Sequence, residues 1–287
     1  MLDIILDMET QDPDDYLTLL LLLGHTQVRL KAVTITPGSP CQVGLVRRTL
    51  AMFGRDIPVG AYNLQHPKTC VSPWHEKVYG TITPSEQARE GSDVLLECCD
   101  EDTILITGAP LKNVGKALDS PAFRLGCLVA QGGFAGEGVV PTELQLEKFK
   151  GKLTCPTFNL NGDVPSAFKV LATDQIGTRY FVSKNVCHGV YYDLAMHTVV
   201  GKLREQSQSM RMIYKGMEAY LQNKAEGKKM HDPLAACCAI DRSIGEWAEV
   251  ELFRQKGEWG SKLAENTRTW IITRYDQEKF IEVFTDC

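Results

Sequence analysis

Apolar and polar positions along the chain fall into short alternating runs. Leu2–Leu6 is a compact apolar stretch ending in acidic residues, and Asp14-Asp15 then opens the almost wholly apolar segment Tyr16–Leu23, closed by Gly24. That pattern predicts a strand, an acidic loop and a buried helix. The rhythm repeats at once: Val28–Thr36 reads as a strand, Pro37-Gly38-Ser39-Pro40 as a loop, Gln42–Phe53 as a helix and Pro58–Ala61 as a short strand. Further on, Asp102–Thr107 is a strand feeding Gly108–Asn113, Val114–Leu118 begins a helix, and Arg124–Gln131 is a buried strand stopped by Gly132-Gly133. Asp163-Val164-Pro165 starts a helix through Leu171, Arg179–Val182 supplies another strand, and Gly201–Glu226 is helical by pattern. Such alternation predicts an α/β fold, an open and mostly parallel twisted sheet with helices on both faces. The two long irregular stretches, 62–92 and 135–157, are expected to sit over a site.

Composition changes this picture little. No linker or low-complexity run interrupts the 287 residues, so one domain over 1–287 is expected. The net charge of -5, with no sustained Lys/Arg block, argues against a nucleic acid polymer as partner. The longest apolar run, Tyr16–Leu23, is far short of the ~20 residues that span a bilayer, and no basic, apolar leader opens the chain. A cytoplasmic location away from membranes is the expectation. The ten cysteines are dispersed without C-x-x-C spacing, which fits reduced thiols used as small hydrophobes.

Chemistry concentrates in two places. Asp7, Glu9, Asp14 and Asp15, with Asp12 as a fifth acid, crowd a loop at the carboxyl end of the first predicted strand, where open α/β sheets gather ligands. Carboxylates that close repel one another unless a cation or a shared proton relieves them, and hard oxygen donors suit calcium or magnesium. Asp14 and Asp15 also sit where acids stabilise a helix start without any further role. The second place is Met230-His231-Asp232-Pro233, a helix opening in which Pro233 takes the first turn. A phosphohydrolase with Asp7 as nucleophile would need D-x-D, which Glu9 breaks.

These motifs resemble the inosine–uridine type nucleoside hydrolases, whose signature is D-x-D-P-G-x-D-D after the first strand and a late H-D-P-x-A. Gly108-Ala109-Pro110-Leu111-Lys112-Asn113 matches the family's G-P-L-T-N, Gln131-Gly132-Gly133 its M-G-G, and Thr157–Ala167 its E-F-N-I-x-x-D-P-E-A-A. The resemblance runs over nearly the whole chain and implies the nucleoside hydrolase fold with its Rossmann-like core. It further implies hydrolysis of the N-glycosidic bond of a ribonucleoside, purine or modified base favoured, by calcium-held water, in a homodimer or homotetramer. A nucleoside-binding or sensor protein that keeps the fold but has lost turnover is the alternative. By the same resemblance the calcium ligands are Glu9, Asp12, Asp15, Asp232 and the backbone carbonyl at Lys112. Glu9 would be the base, Asp14 would contact the 2′ hydroxyl, and His231 would protonate the leaving base. Asn159 would hold the ribose with Phe158 beside it.

Departures from the family pattern fall on the same residues. The loop Asp7–Asp15 is one residue longer than the signature, so Glu9 and Asp12 compete for the role of base and ligand; strand alternation from Asp7 favours Glu9. Ser39, Glu137 and Thr157 stand where the family has Asn, Asn and Glu, which alters contacts at the ribose and its 5′ side. Trp74 resembles the base-stacking residue of the purine-preferring branch, worth ~1–3 kcal/mol per base in nucleic-acid complexes, and His75 its neighbouring loop histidine. His25, His66, His188 and His197 read as structural or surface residues.

Overall fold

The computed structural model describes residues 1–287. Thirteen strands follow in chain order: β1 (Leu2–Met8), β2 (Val28–Ile35), β3 (Val59–Ala61), β4 (Arg89–Glu90), β5 (Ile104–Thr107), β6 (Leu125–Gln131), β7 (Thr154–Cys155), β8 (Ile176–Val182), β9 (Tyr191–Tyr192), β10 (Lys228–Lys229), β11 (Gly245–Gln255), β12 (Glu258–Leu263) and β13 (Thr269–Tyr275). The helices are α1 (Pro13–Gly24), α2 (Pro40–Met52), α3 (Pro73–Tyr79), α4 (Gly91–Cys98), α5 (Lys112–Ala117), α6 (Phe158–Gly162), α7 (Val164–Ala172), α8 (Lys184–Cys187), α9 (Leu194–Leu203), α10 (Gln208–Leu221), α11 (His231–Ile240) and α12 (Gln277–Thr285). Eleven strands form one sheet in the order β4-β3-β2-β1-β5-β6-β8-β13-β11-β12-β7. From β4 to β13 every pairing is parallel; β11, β12 and β7 close the far edge antiparallel.

Two cores explain why the pattern folds this way. Alternation along β1 sends Ile4, Leu6 and Met8 to a core of 45 buried residues and Ile5 to a core of 23 on the opposite face. α1 is apolar around its whole circumference because it is buried all round, between the sheet and α10 and α11. The chain runs outward from β1 in both directions, through β2 and β3 on one side and β5 and β6 on the other. Between β1 and β5 lies the switch point at which loops diverge and leave a crevice. The acidic loop and Gly108 occupy its rim.

Three expectations need correction. The helical stretch expected over 201–226 is broken: α9 ends at Leu203 and Ser207 caps α10, its side chain accepting from the Met210 N–H at 3.0 Å. The stretch 62–92 is not irregular throughout, since α3 forms inside it. The antiparallel edge from β11 to β13 has no counterpart among the predicted elements; its strands carry exposed charges such as Glu246, Glu251 and Lys262, which dilute the apolar alternation. No helix is long and apolar enough to cross a membrane.

Candidate active site

β1 delivers Asp7 to the centre of the sheet edge, where it is fully buried and accepts from Thr34 Oγ1 (2.7 Å), Asn113 Nδ2 (2.8 Å) and Thr107 Oγ1 (3.0 Å). Burial nevertheless pushes its carboxyl up to about 6. With three donors around it, Asp7 ties β1, β2, β5 and α5 together and has no path to a substrate. Asp14 and Asp15 sit in the first turn of α1, both buried. Asp14 Oδ2 accepts the backbone N–H of His231 at 3.0 Å and of Asp232 at 3.4 Å, so it secures the start of α11. Its Oδ1 meets Lys228 Nζ at 2.8 Å, and Asp12 Oδ1 meets the same ammonium at 3.2 Å. Burial works against the Lys228 charge, but Asp14 and Asp12 outweigh it and hold its pKa above the ordinary lysine range.

The three remaining carboxylates have no such partner. Burial, then the charge of Asp7, raises Glu9 to about 7, with Lys112 partly offsetting. Asp15 and Asp232 are both held well above the usual carboxylate range, by burial first and then by neighbouring negative charge, that of Asp232 and Asp14 on Asp15 and that of Asp14 and Glu9 on Asp232. Gly108 is what lets the backbone approach: a Cβ there would lie 2.1 Å from Asp232 Oδ2. Hard carboxylate oxygens without a salt-bridge partner, beside a cradle only glycine permits, fit a hard divalent cation.

The opposite wall comes from the carboxyl ends of β6 and β8. Asn159 Nδ2 donates to Gln131 O (3.0 Å) and Oε1 (2.8 Å), Gln131 Nε2 reaches Cys187 Sγ at 3.4 Å, and Cys187 Sγ lies 3.2 Å from His231 Nδ1. Burial pushes the Cys187 thiol up to about 12, so it keeps its proton; donated to Nδ1, that proton would leave the imidazole hydrogen on Nε2. Burial likewise holds His231 down at about 4, a neutral imidazole. The His188 ring is 4.8 Å from that of His231. Donor atoms of Cys187, His188 and His231 all lie within 4.8 Å of one another, but thiol and imidazole are soft ligands, unlike the carboxylate set. The cleft between the walls has a volume of 490 Å³, within the range of small-molecule sites.

The structure brings Glu9, Asp12, Asp14, Asp15, Thr157, Phe158, Asn159, His231 and Asp232 to this one cleft. Five expected residues do not line it. Ser39 is buried as the cap of α2, its hydroxyl donating to Thr69 O at 2.6 Å. Trp74 packs among Tyr16, His75 and Tyr79, and its indole N–H donates to Gly216 O at 3.2 Å. His75 is wholly buried against Thr10 O at 2.9 Å. Exposed Glu137 accepts from Gln145, and the Lys112 ammonium lies over the Tyr62 ring, 5.3 Å from its centroid. Conversely, Lys184 and His188 line the cleft, and Lys228 and Cys187 act at its edge. No local motif marks Lys184, Cys187 or His188; only their place just after a strand hinted at them.

His75 yields a pH prediction. Burial holds it at about 4, below its ordinary 6.5, so the stability it contributes is present above pH 6.5 and drains away as pH falls toward 4. Between pH 7 and pH 5 the difference is about 2 kcal/mol at ~1.4 kcal/mol per unit. Urea midpoints of wild type and His75→Gln should therefore diverge across that interval, the variant losing less; parallel curves would refute the assignment.

Comparison with known proteins followed the same direction. The model of the family described as inosine-uridine preferring nucleoside hydrolase matches residues 4–282. An uncharacterized protein of Aquifex aeolicus is 27% identical over 289 residues, 97% of this chain and 96% of its own. A plant nucleoside hydrolase superposes with a TM-score of 0.73 at 16% identity, covering 99% of this chain and 98% of that one. The purine-preferring ribonucleoside hydrolase of Gardnerella vaginalis gives 0.69 at 14%, over 99% and 97%. The inosine-uridine preferring hydrolase of Bacillus anthracis gives 0.69 at 17%, over 99% and 98%. These structural likenesses speak for the fold.

Proposed function

The chain belongs to the inosine–uridine preferring nucleoside hydrolase family and is an N-glycosyl hydrolase acting on nucleosides, and from that premise we propose that it splits a ribonucleoside into free base and ribose with a calcium ion held by Glu9, Asp15 and Asp232. The family is metal-dependent. What supports the choice of calcium is the trio of carboxylates, Asp15 and Asp232 buried and Glu9 half-buried, all raised by burial first and by neighbouring negative charge second, with Asp232 against Gly108. Asp12 is the weaker candidate because it is more than half exposed and already paired with Lys228. When bound, a hard divalent cation supplies charge compensation and oxygen coordination for a sugar diol.

The chain's own residues do the rest. Glu9, which burial and Asp7 raise in the metal-free protein and which a bound cation would bring back to the ionised form, is the base that accepts a proton from water. Both amide hydrogens of Asn159 are spent on Gln131, so its Oδ1 is left to accept from a ribose hydroxyl. His231 offers the Nε2–H to the departing base, and the chain of contacts through Cys187 and Gln131 holds that tautomer. A purine suits this donor, because its five-membered ring presents a nitrogen acceptor beside the glycosidic bond. Asp14, with both oxygens engaged, acts as a positioning residue for Asp232.

The test is free ribose released from inosine, guanosine, uridine and modified nucleosides, with and without EDTA. Release abolished by EDTA and restored by calcium is the expected result. Saturable binding of nucleosides without any ribose would replace this reading with that of a nucleoside-binding protein.

A further inference from the structure

The lining of the cleft has two parts of opposite character. One is the set of carboxylates; the other includes Thr157, Lys184 and His188. Lys184 Nζ donates to Pro156 O at 2.8 Å, which uses one of its three hydrogens and holds the ammonium beside Thr157. The Thr157 hydroxyl is buried and lacks any hydrogen-bond partner, although a buried hydroxyl ordinarily finds one. Lys148 Nζ lies 2.7 Å from His188 Nδ1, so the Nε2–H of that ring is free to donate. After burial, the neighbouring His231 ring and the positive charges of Lys148, Lys184 and Lys229 hold His188 down at about 3. Such a field repels a second metal ion and attracts an anion.

Ribose stereochemistry says which part of a substrate reaches this end. In a β-ribofuranoside the base and C5′ lie on one face of the ring and the 2′,3′ diol on the other. With the diol at the carboxylates, base and 5′ substituent both point away from them, toward the part of the lining that includes Thr157, Lys184 and His188. We propose, resting on the hydrolase reading above, that the preferred substrate is a ribonucleoside 5′-monophosphate whose phosphate is held by the Lys184 ammonium and the Thr157 hydroxyl. Water's oxygen bonds to C1′ while the C1′–N bond breaks. The base leaves with that electron pair; of water's two protons one stays on the new C1′ hydroxyl, and the other, taken up by the general base, is passed on to the departing base. The phosphate ester stays intact, so the products are free base and ribose 5-phosphate.

The experiment compares kcat/KM for inosine and inosine 5′-monophosphate, with uridine against orotidine to probe an acidic base, in calcium-loaded wild type, Lys184→Met and Thr157→Val. The expected result is a preference for the monophosphate of about tenfold or more, the scale of one charge-assisted hydrogen bond, lost in Lys184→Met and reduced in Thr157→Val. Inosine cleaved as fast as its monophosphate overturns the proposal and leaves the hydrolase reading standing. Preference for orotidine without preference for the monophosphate also overturns it, placing the anion on the base. If no nucleoside or nucleotide is cleaved, the hydrolase reading fails, and calorimetry decides the phosphate assignment separately. Ribose 5-phosphate binding tighter than ribose in a Lys184-dependent way sustains it; equal binding ends it.

Discussion

Asp232→Asn is expected to lose turnover by a factor on the order of 10² to 10³, the cost of removing one group that organises charge at a reacting centre, while making the metal-free protein more stable. The two effects have one cause. Asp232 is held well above the usual carboxylate range by burial and by the charges of Asp14 and Glu9, so its ionised form is a liability to the metal-free fold at neutral pH. An amide of the same shape removes that charge and still fits against Gly108. Calcium should raise the melting temperature of wild type, because it binds the folded state alone, and should leave that of Asp232→Asn nearly unchanged. A calcium-induced shift surviving intact in the variant would remove Asp232 from the metal shell.

Lys228→Met should be the most destabilising single change near the site. The side chain of Lys228 is 6% exposed and that of Asp14 is 3% exposed, so the substitution leaves a buried carboxylate without its counter-charge. Breaking such a pair from one side costs about 3–5 kcal/mol, a large share of the ~5–15 kcal/mol by which a folded domain is stable. Asp12, more than half exposed, contributes little to that figure. Asp14→Asn in the same background removes the orphaned charge while keeping an oxygen for the N–H groups of His231 and Asp232. The double variant should therefore recover most of the loss in a double-mutant cycle. Additive losses in urea unfolding would show that the ion pair is not the source of the effect.

These expectations trace how far a reading of the chain alone carries. Alternation of apolar runs with turns was enough for β1, β2, β3, β5, β6 and the end of β8, whose side chains feed the cores on the two faces of the sheet, but not for the short, exposed β4 or for β13. It was not enough for the antiparallel edge, where Glu251 and Lys262 face water. At the site, the acidic loop and His231-Asp232 were legible as motifs 200 residues apart. Only strand alternation from Asp7 favoured Glu9 over Asp12; the residue that separates them in space is Lys228, far along the chain and without a motif of its own. Trp74 and His75 illustrate the reverse: their residue types invite a stacking role, yet packing against Tyr16 and Tyr79 spends them in the core.

What the chain determined by itself is therefore the local part: which segments are strands and helices, where the carboxylates crowd, and that His231-Asp232 opens a helix. Those follow from periodicity, turn chemistry and charge density, which act over a few residues. Tertiary structure decided how the carboxylates divide. It paired Asp14 and Asp12 with Lys228, sealed Asp7 under three donors, and left Glu9, Asp15 and Asp232 without a salt bridge. It also set Lys184 beside Thr157 and His188 beside His231. Electrostatic roles are sums over neighbours in space, and those neighbours come from six separate strand ends.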